Sequence, residues 1–175
     1  MNTIKNFDEL LAHLRENNVK KRVAVVWAAD EKTPAACAMA LEAGFIEAIF
    51  VGCEEKLKAN EALKPHAANI SYMDASDADD AAAKAVGLVR EGKVDVLMKG
   101  LINTDNLLRA VLNKETGILP KGNVLTHAAV ASIPTYHKLL FFTDAAVIPY
   151  PNQAQRIEMV KYMSHVARNF GIEEP

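Results

Sequence analysis

The stretch RVAVVWAADEKTPAACAMALEAGFIEAIFVG, Arg22–Gly52, decides how this chain folds. It opens with a continuous apolar run, Arg22 to Ala29, bounded by polar residues. Such a run fits a strand buried on both faces, which is the habit of parallel sheets. A helix follows: Thr33 is a natural N-cap, Pro34 suits the first helical position and Gly44 suits the C-terminal stop. A second apolar strand runs from Glu47 to Gly52. Strand, helix and strand in succession predict a parallel pair joined by a right-handed crossover.

The same alternation extends outward in both directions. Upstream, Phe7, Leu10, Leu11 and Leu14 share one helical face after a cap at Asn6. Downstream come a weaker helix around Glu54 to Leu63, a strand at Asn69–Asp74, and a helix capped by Ser76. In that helix Asp77, Asp79 and Asp80 crowd the first turn, against the positive end of the helix dipole. Val86 and Val89 continue its buried face, and Gly92 ends it. A strand at Asp95–Met98 leads to a helix from Thr104 to about Asn113. Two short strands are expected at Val124–His127 and Leu139–Thr143. The last helix opens on a capping box, Asn152 with Gln155, and lines Ile157, Val160, Met163, Val166 and Phe170 on one face. The fold class predicted is α/β: a mostly parallel, doubly wound sheet covered by helices on both sides.

Composition narrows the setting. Of 175 residues, 50% are apolar and 24% charged, with a net charge of −2, the profile of an ordinary soluble globular protein with no nucleic-acid surface. No segment approaches the roughly 18 apolar residues of a membrane helix, so no membrane partner is expected. The charged, amphipathic N-terminal sequence is not a signal peptide, which predicts a cytoplasmic protein. Cys37 and Cys53 lack metal-ligand spacing and read as reduced thiols. His13, His66, His127, His137 and His165 are scattered without a ligand pattern, so no metal is expected.

Doubly wound sheets bind ligands at the carboxyl ends of strands, near the point where strand order reverses. Three junctions qualify: Ala28–Thr33, Gly52–Glu54 and Lys99–Thr104. Neither a dinucleotide-binding G-x-G-x-x-G nor a P-loop signature is present. The Lys99–Thr104 junction suits an anion. Gly100 lets the backbone approach a ligand or take a positive φ, and Thr104 would cap a helix whose free N–H groups can face a phosphate. Lys99 adds a point charge and Arg109 a planar fork of donors. The competing explanation is structural: Asp105 and Arg109 are spaced i, i+4, a pairing worth roughly 0.3–0.5 kcal/mol, and Thr104 is then only a cap. Trp27, at the end of the first strand, either packs under a helix or touches an adenine or acyl group at the ligand edge.

Read together, MKGLINTDNLLRAVLNKETGI and LLFFTDAAVIPYPNQAQRIEMV resemble the phosphate acetyltransferase and phosphate butyryltransferase family, with KGLINT and TDAA nearer the butyryl branch. The resemblance implies the three-layer α/β/α architecture of isocitrate-dehydrogenase-like enzymes and a homodimer or larger homo-oligomer. It implies transfer of a short acyl group between coenzyme A, a co-substrate with no further cofactor, and inorganic phosphate. Arg109 matches a family arginine of the active-site cleft that holds phosphate or the acyl carbonyl. With Thr104 it forms the expected catalytic pair, and Lys99, Gly100, Asn103, Lys138 and Asp144 complete the expected substrate-binding set. Lys138 stands nearest to where the acetyl branch has a second arginine, and Asp144 lies in TDAA, where bracing the following turn is an equal alternative.

Family members are nearly twice as long, with a serine- and aspartate-bearing segment towards the C-terminus. The expectation is therefore an N-terminal portion: a first α/β domain over residues 1–120, the start of a second over 121–175, and little activity from this chain alone. Two other functions fit the same fold. An NAD- and metal-dependent decarboxylating dehydrogenase would need clustered aspartates. A small-molecule-binding or receiver-like regulatory module would gather acids at the early strand ends, for which Asp30 and Asp74 are the available residues.

Overall fold

The computed structural model describes residues 3–175. Its elements run α1 (Phe7–Glu16), β1 (Lys21–Val26), α2 (Lys32–Glu42), β2 (Ile46–Gly52), α3 (Glu54–Lys58), a 3-10 turn (Lys64–Asn69) and β3 (Ile70–Asp74). They continue with α4 (Ala78–Arg90), β4 (Val96–Lys99), α5 (Thr104–Val111), β5 (Ala129–Ala131), β6 (Leu140–Phe142) and α6 (Gln153–Asn169). The chain divides into two compact units, Asn18–Leu119 and the residues before Asn18 together with Pro120–Pro175.

The first unit is a four-stranded parallel sheet in the order β3-β2-β1-β4. Alternate residues of β1 feed two cores. Val23 and Val25 pack with Cys37, Leu41, Phe50, Leu57 and Leu63 on one face. Ala24 and Val26 pack with Ala81, Ala85, Leu88, Ile102 and Leu107 on the other. Burial on both sides is why β1 reads as an unbroken apolar run rather than an alternating one. Helices cover both faces, giving the α/β/α layering, and the strand order reverses between β1 and β4.

Element boundaries moved where a side chain could outcompete the expected cap. The β1 strand stops at Val26 because Trp27 enters the left-handed region, φ 55°. Thr33 is not the N-cap of α2; Asp30 takes that work, its carboxylate accepting the Thr33 amide at 2.8 Å and hydroxyl at 2.7 Å. Asp77 rather than Ser76 caps α4, accepting the Asp80 amide at 2.8 Å. The helix expected over Glu54–Leu63 closes at Lys58 and gives way to the 3-10 turn.

In the second unit α1 joins the residues that follow Pro120: the Ile4 amide donates to the Phe170 carbonyl at 2.8 Å and the Thr3 hydroxyl to the Gly171 carbonyl at 3.1 Å. Phe141 and Phe170 meet edge to face at 5.2 Å. The pairing strands are Ala129–Ala131 and Leu140–Phe142, antiparallel. Val124–His127 is no strand, because Thr126 and His127 bond instead to the Asp144 carboxylate. The capping box of α6 forms as expected. Its buried side carries Met159 and Ala167, whereas Ile157 and Val160 of the apolar stripe remain exposed.

Candidate functional site

The loop from β4 into α5 lies at the carboxyl edge of the sheet, where strand order reverses, and it is tied tightly to β1. The Gly100 amide donates to the Val26 carbonyl and the Leu101 amide to the Trp27 carbonyl, both at 2.9 Å. A Cβ on Gly100 would stand 2.7 Å from the carbonyl oxygens of Val26 and Trp27. Glycine here serves close approach between two backbone segments, not a left-handed turn. The Lys99 ammonium folds back along the loop, donating to the Ile102 carbonyl at 2.7 Å and the Gly100 carbonyl at 3.3 Å. Ile102 is buried in the core below, and Leu101 beside it is 61% exposed.

Asn103, extended at φ −60° and ψ 136°, is the N-cap of α5, and its side chain makes no capping bond. Thr104 is therefore the first helical residue and not the cap. Among the described residues, no protein acceptor takes the amides of Thr104 and Asp105. This leaves donors open at the positive end of a helix, where an anion is favoured.

Arg109 is placed differently. It lines a groove of about 460 Å³ between α4 and α5, together with Arg90, Asn106, Asn113, Thr116 and Asp79. No residue of the Lys99–Thr104 loop lines that groove. Among the described residues the Asp105–Arg109 ion pair does not form, and neither Arg90 nor Arg109 has an acidic partner. The structure thus gathers Lys99, Gly100, Asn103 and Thr104 on one loop and sets Arg109 in a separate concavity. Arg90 is the residue no motif marks. It reads as an ordinary basic residue at a helix C-terminus, and only the packing of α4 against α5 puts it beside Arg109.

Lys138 and Asp144 belong to the other unit. Lys138 is exposed. One carboxylate oxygen of Asp144 accepts the Ala146 and Val147 amides, both at 2.8 Å; the other accepts the Thr126 hydroxyl at 2.7 Å and the His127 amide at 3.0 Å. Desolvation works to raise the pKa of this carboxyl. The hydrogen bonds from Val147, Ala146, His127 and Thr126 overcome it and hold the group well below the usual carboxylate range. Every strong acceptor direction is in use, so Asp144 braces two loops. The early-strand acids are likewise engaged, Asp30 with Thr33 and Asp74 with the Glu54 amide at 3.2 Å.

A doubly wound α/β/α unit with open helix amides at its switch point has a geometry that favours an anionic ligand there. The comparisons are more specific. The family model described as phosphate acetyl/butaryl transferase matches residues 74–175, and the chain belongs to that family. It is 41% identical over 174 residues to a phosphate butyryltransferase of Clostridium beijerinckii, covering 98% of this chain and 56% of that protein. It is 38% identical to the phosphate butyryltransferase of Clostridium acetobutylicum, covering 98% and 57%. The crystal structure of a branched-chain phosphotransacylase from Enterococcus faecalis superposes with a TM-score of 0.74 at 27% identity, over 89% of this chain and 54% of that one. The chain spans about half the length of the relatives it matches.

Proposed function

We propose that the protein transfers a short acyl group, butyryl in preference to acetyl, between coenzyme A and inorganic phosphate. One observation carries this: the family match runs through both the β4–α5 loop and the segment containing Asp144. In the forward direction a phosphate oxygen attacks the thioester carbonyl carbon, a tetrahedral oxyanion forms, the C–S bond breaks and the coenzyme thiolate leaves. The protein must hold two anionic reactants against their repulsion and stabilise the oxyanion with preorganised donors.

The open amides of Thr104 and Asp105 supply the phosphate seat, Lys99 fixes the loop and adds positive charge, and Gly100 sets the loop's height above β1. Asn103 borders this seat. Arg109, with Arg90, offers two guanidinium groups that have no acidic partner among the described residues, in a groove wider than a single phosphate needs, and is the binding position for phosphates of the coenzyme. Lys138 adds charge at the second unit, and Asp144 positions its own loops. No carboxylate of this chain is assigned the proton transfer, and the 175-residue chain alone is expected to turn over little. The protein is proposed to be cytoplasmic and homo-oligomeric, with coenzyme A as co-substrate.

Ligand-dependent melting tests the assignment. Inorganic phosphate and coenzyme A should each raise the melting temperature of the chain, by mass action. Stabilisation by NAD with a divalent metal, and by neither phosphate nor coenzyme A, would replace the proposal with a dehydrogenase.

A further inference from the structure

A second cavity lies at the carboxyl edge of the sheet, between the ends of β1 and β2. It measures about 70 Å³ and is walled by Trp27, Ala28, Ala29, Gly52, Cys53 and Leu57, with Lys56 also on its lining. That volume is well under the roughly 300 Å³ of a complete small-molecule site. It is several times the roughly 10–15 Å³ that a single water requires. The space suits a short run of methylene groups, and it is a subsite rather than a site.

Its lining offers a polar guest almost nothing. Apart from the Cys53 thiol and the exposed Lys56 ammonium, the side chains are hydrocarbon or indole, so a hydrated group entering would lose water without replacement. A short hydrocarbon tail matches the arrangement, lying among Trp27, Gly52 and Leu57.

Two independent costs coincide here. Trp27 holds φ 55°, a conformation that a bulky residue seldom adopts. The void beside it leaves its walls short of packing partners. The strained residue is also the link to the β4–α5 loop: its amide donates to Val51 at 2.8 Å and its carbonyl accepts from Leu101 at 2.9 Å. Cavity and loop therefore share one residue.

We propose that this cavity seats the hydrocarbon tail of a short straight-chain acyl group, and that Gly52, Leu57 and Trp27 set the chain length accepted. The inference rests on the acyl-transfer function proposed above. Gly52 is the control point. A Cβ there would meet Leu57 Cδ1 and Trp27 Cε3 at 3.6 Å each, ordinary contact distances, so an alanine methyl would enter without a clash and a larger side chain would take up the space between them.

The chain has a single tryptophan, so its tryptophan fluorescence comes from the wall of this cavity. Sodium alkanoates from acetate to octanoate are titrated against the 175-residue chain while Trp27 emission is followed. Affinity should rise by roughly fourfold per methylene up to butanoate, the transfer free energy of one CH₂ expressed as a ratio, and fall at hexanoate and beyond. Gly52→Val should abolish this length dependence and Gly52→Ala should shift its optimum to a shorter chain, with circular dichroism melts showing both variants folded. An emission response that is the same for acetate and butanoate, or a length profile unchanged in folded Gly52→Val, overturns the proposal. Melting with phosphate and coenzyme A is measured alongside. Protection by those two with no alkanoate response removes the acyl subsite and leaves the transferase standing; the reverse pattern supports the subsite and removes the transferase.

Discussion

Gly100 donates its amide to the Val26 carbonyl at 2.9 Å while leaving no room for a side chain, since a Cβ would stand 2.7 Å from that same oxygen. The atoms in the way are backbone and cannot rotate aside. Gly100→Ala must therefore lift the loop from β1 or bend the strand end. Overpacking of this kind costs about 1–3 kcal/mol, and urea unfolding should show a loss in that range. Phosphate protection should fall with it, because the loop carries the Thr104 and Asp105 amides. An Ala variant as stable as the parent would show that the contact yields freely.

Lys99 tests the same loop from within. Its ammonium supplies the Ile102 and Gly100 carbonyls with a donor. Lys99→Met keeps the length and apolar stem but removes that donor, and should cost about 1 kcal/mol. Hydrogen exchange at Leu101–Asp105 should quicken, and stabilisation by phosphate should weaken. Unchanged exchange in this segment would mean that the lysine only decorates the loop.

Asp144 makes a prediction about pH. Its carboxyl lies below the ordinary value when folded, so the unfolded chain binds its proton more readily. Its contribution is present above the unfolded value, about pH 3.9, and is lost as pH falls from there towards the lower folded value. Asp144→Ala leaves three amides and a hydroxyl without their acceptor and should destabilise by roughly 1–3 kcal/mol at neutral pH. The parent should lose stability more steeply than the variant below about pH 4. Parallel acid-denaturation curves for the two proteins would remove Asp144 as the cause.

The strand–helix alternation was legible because its signals are local and repeated. A doubly buried strand such as β1 must be apolar throughout, and Gly44 and Gly92 take positive φ at helix ends, 80° and 67°. Cap positions are less legible where several capping residues stand together: Asp30 and Asp77, each three residues before the amide it accepts, do the capping that Thr33 and Ser76 are expected to do. The stripe Ile157–Phe170 marked a helix correctly but did not reveal which side is covered, since that depends on what packs against it. At the site, Lys99, Gly100 and Thr104 are visible in sequence as a turn. Their particular roles are not, because Lys99 bonding back to its own loop and Gly100 abutting Val26 are tertiary facts. The presence of Arg90 and Arg109 on one groove between two helices had no local signature at all.

That shared groove yields the sharpest test of how this chain meets its ligands. Both guanidinium groups line one groove and lack acidic partners among the described residues. Neither contributes an ion pair to the folded state, so Arg109→Gln and Arg90→Gln should each change stability by no more than about 0.5 kcal/mol. Binding should respond differently. A hydrogen bond to a charged group is worth about 1.5–3 kcal/mol, so losing Arg109 should weaken coenzyme A binding by roughly ten- to a hundredfold. Inorganic phosphate, seated on the α5 amides, should bind almost as before. Isothermal titration with each ligand separates the two sites. If Arg109→Gln weakens phosphate and coenzyme A equally, the groove and the loop act as one site; if it weakens neither, the guanidinium plays no part in binding, and the positive charge of the groove is a property of the surface alone.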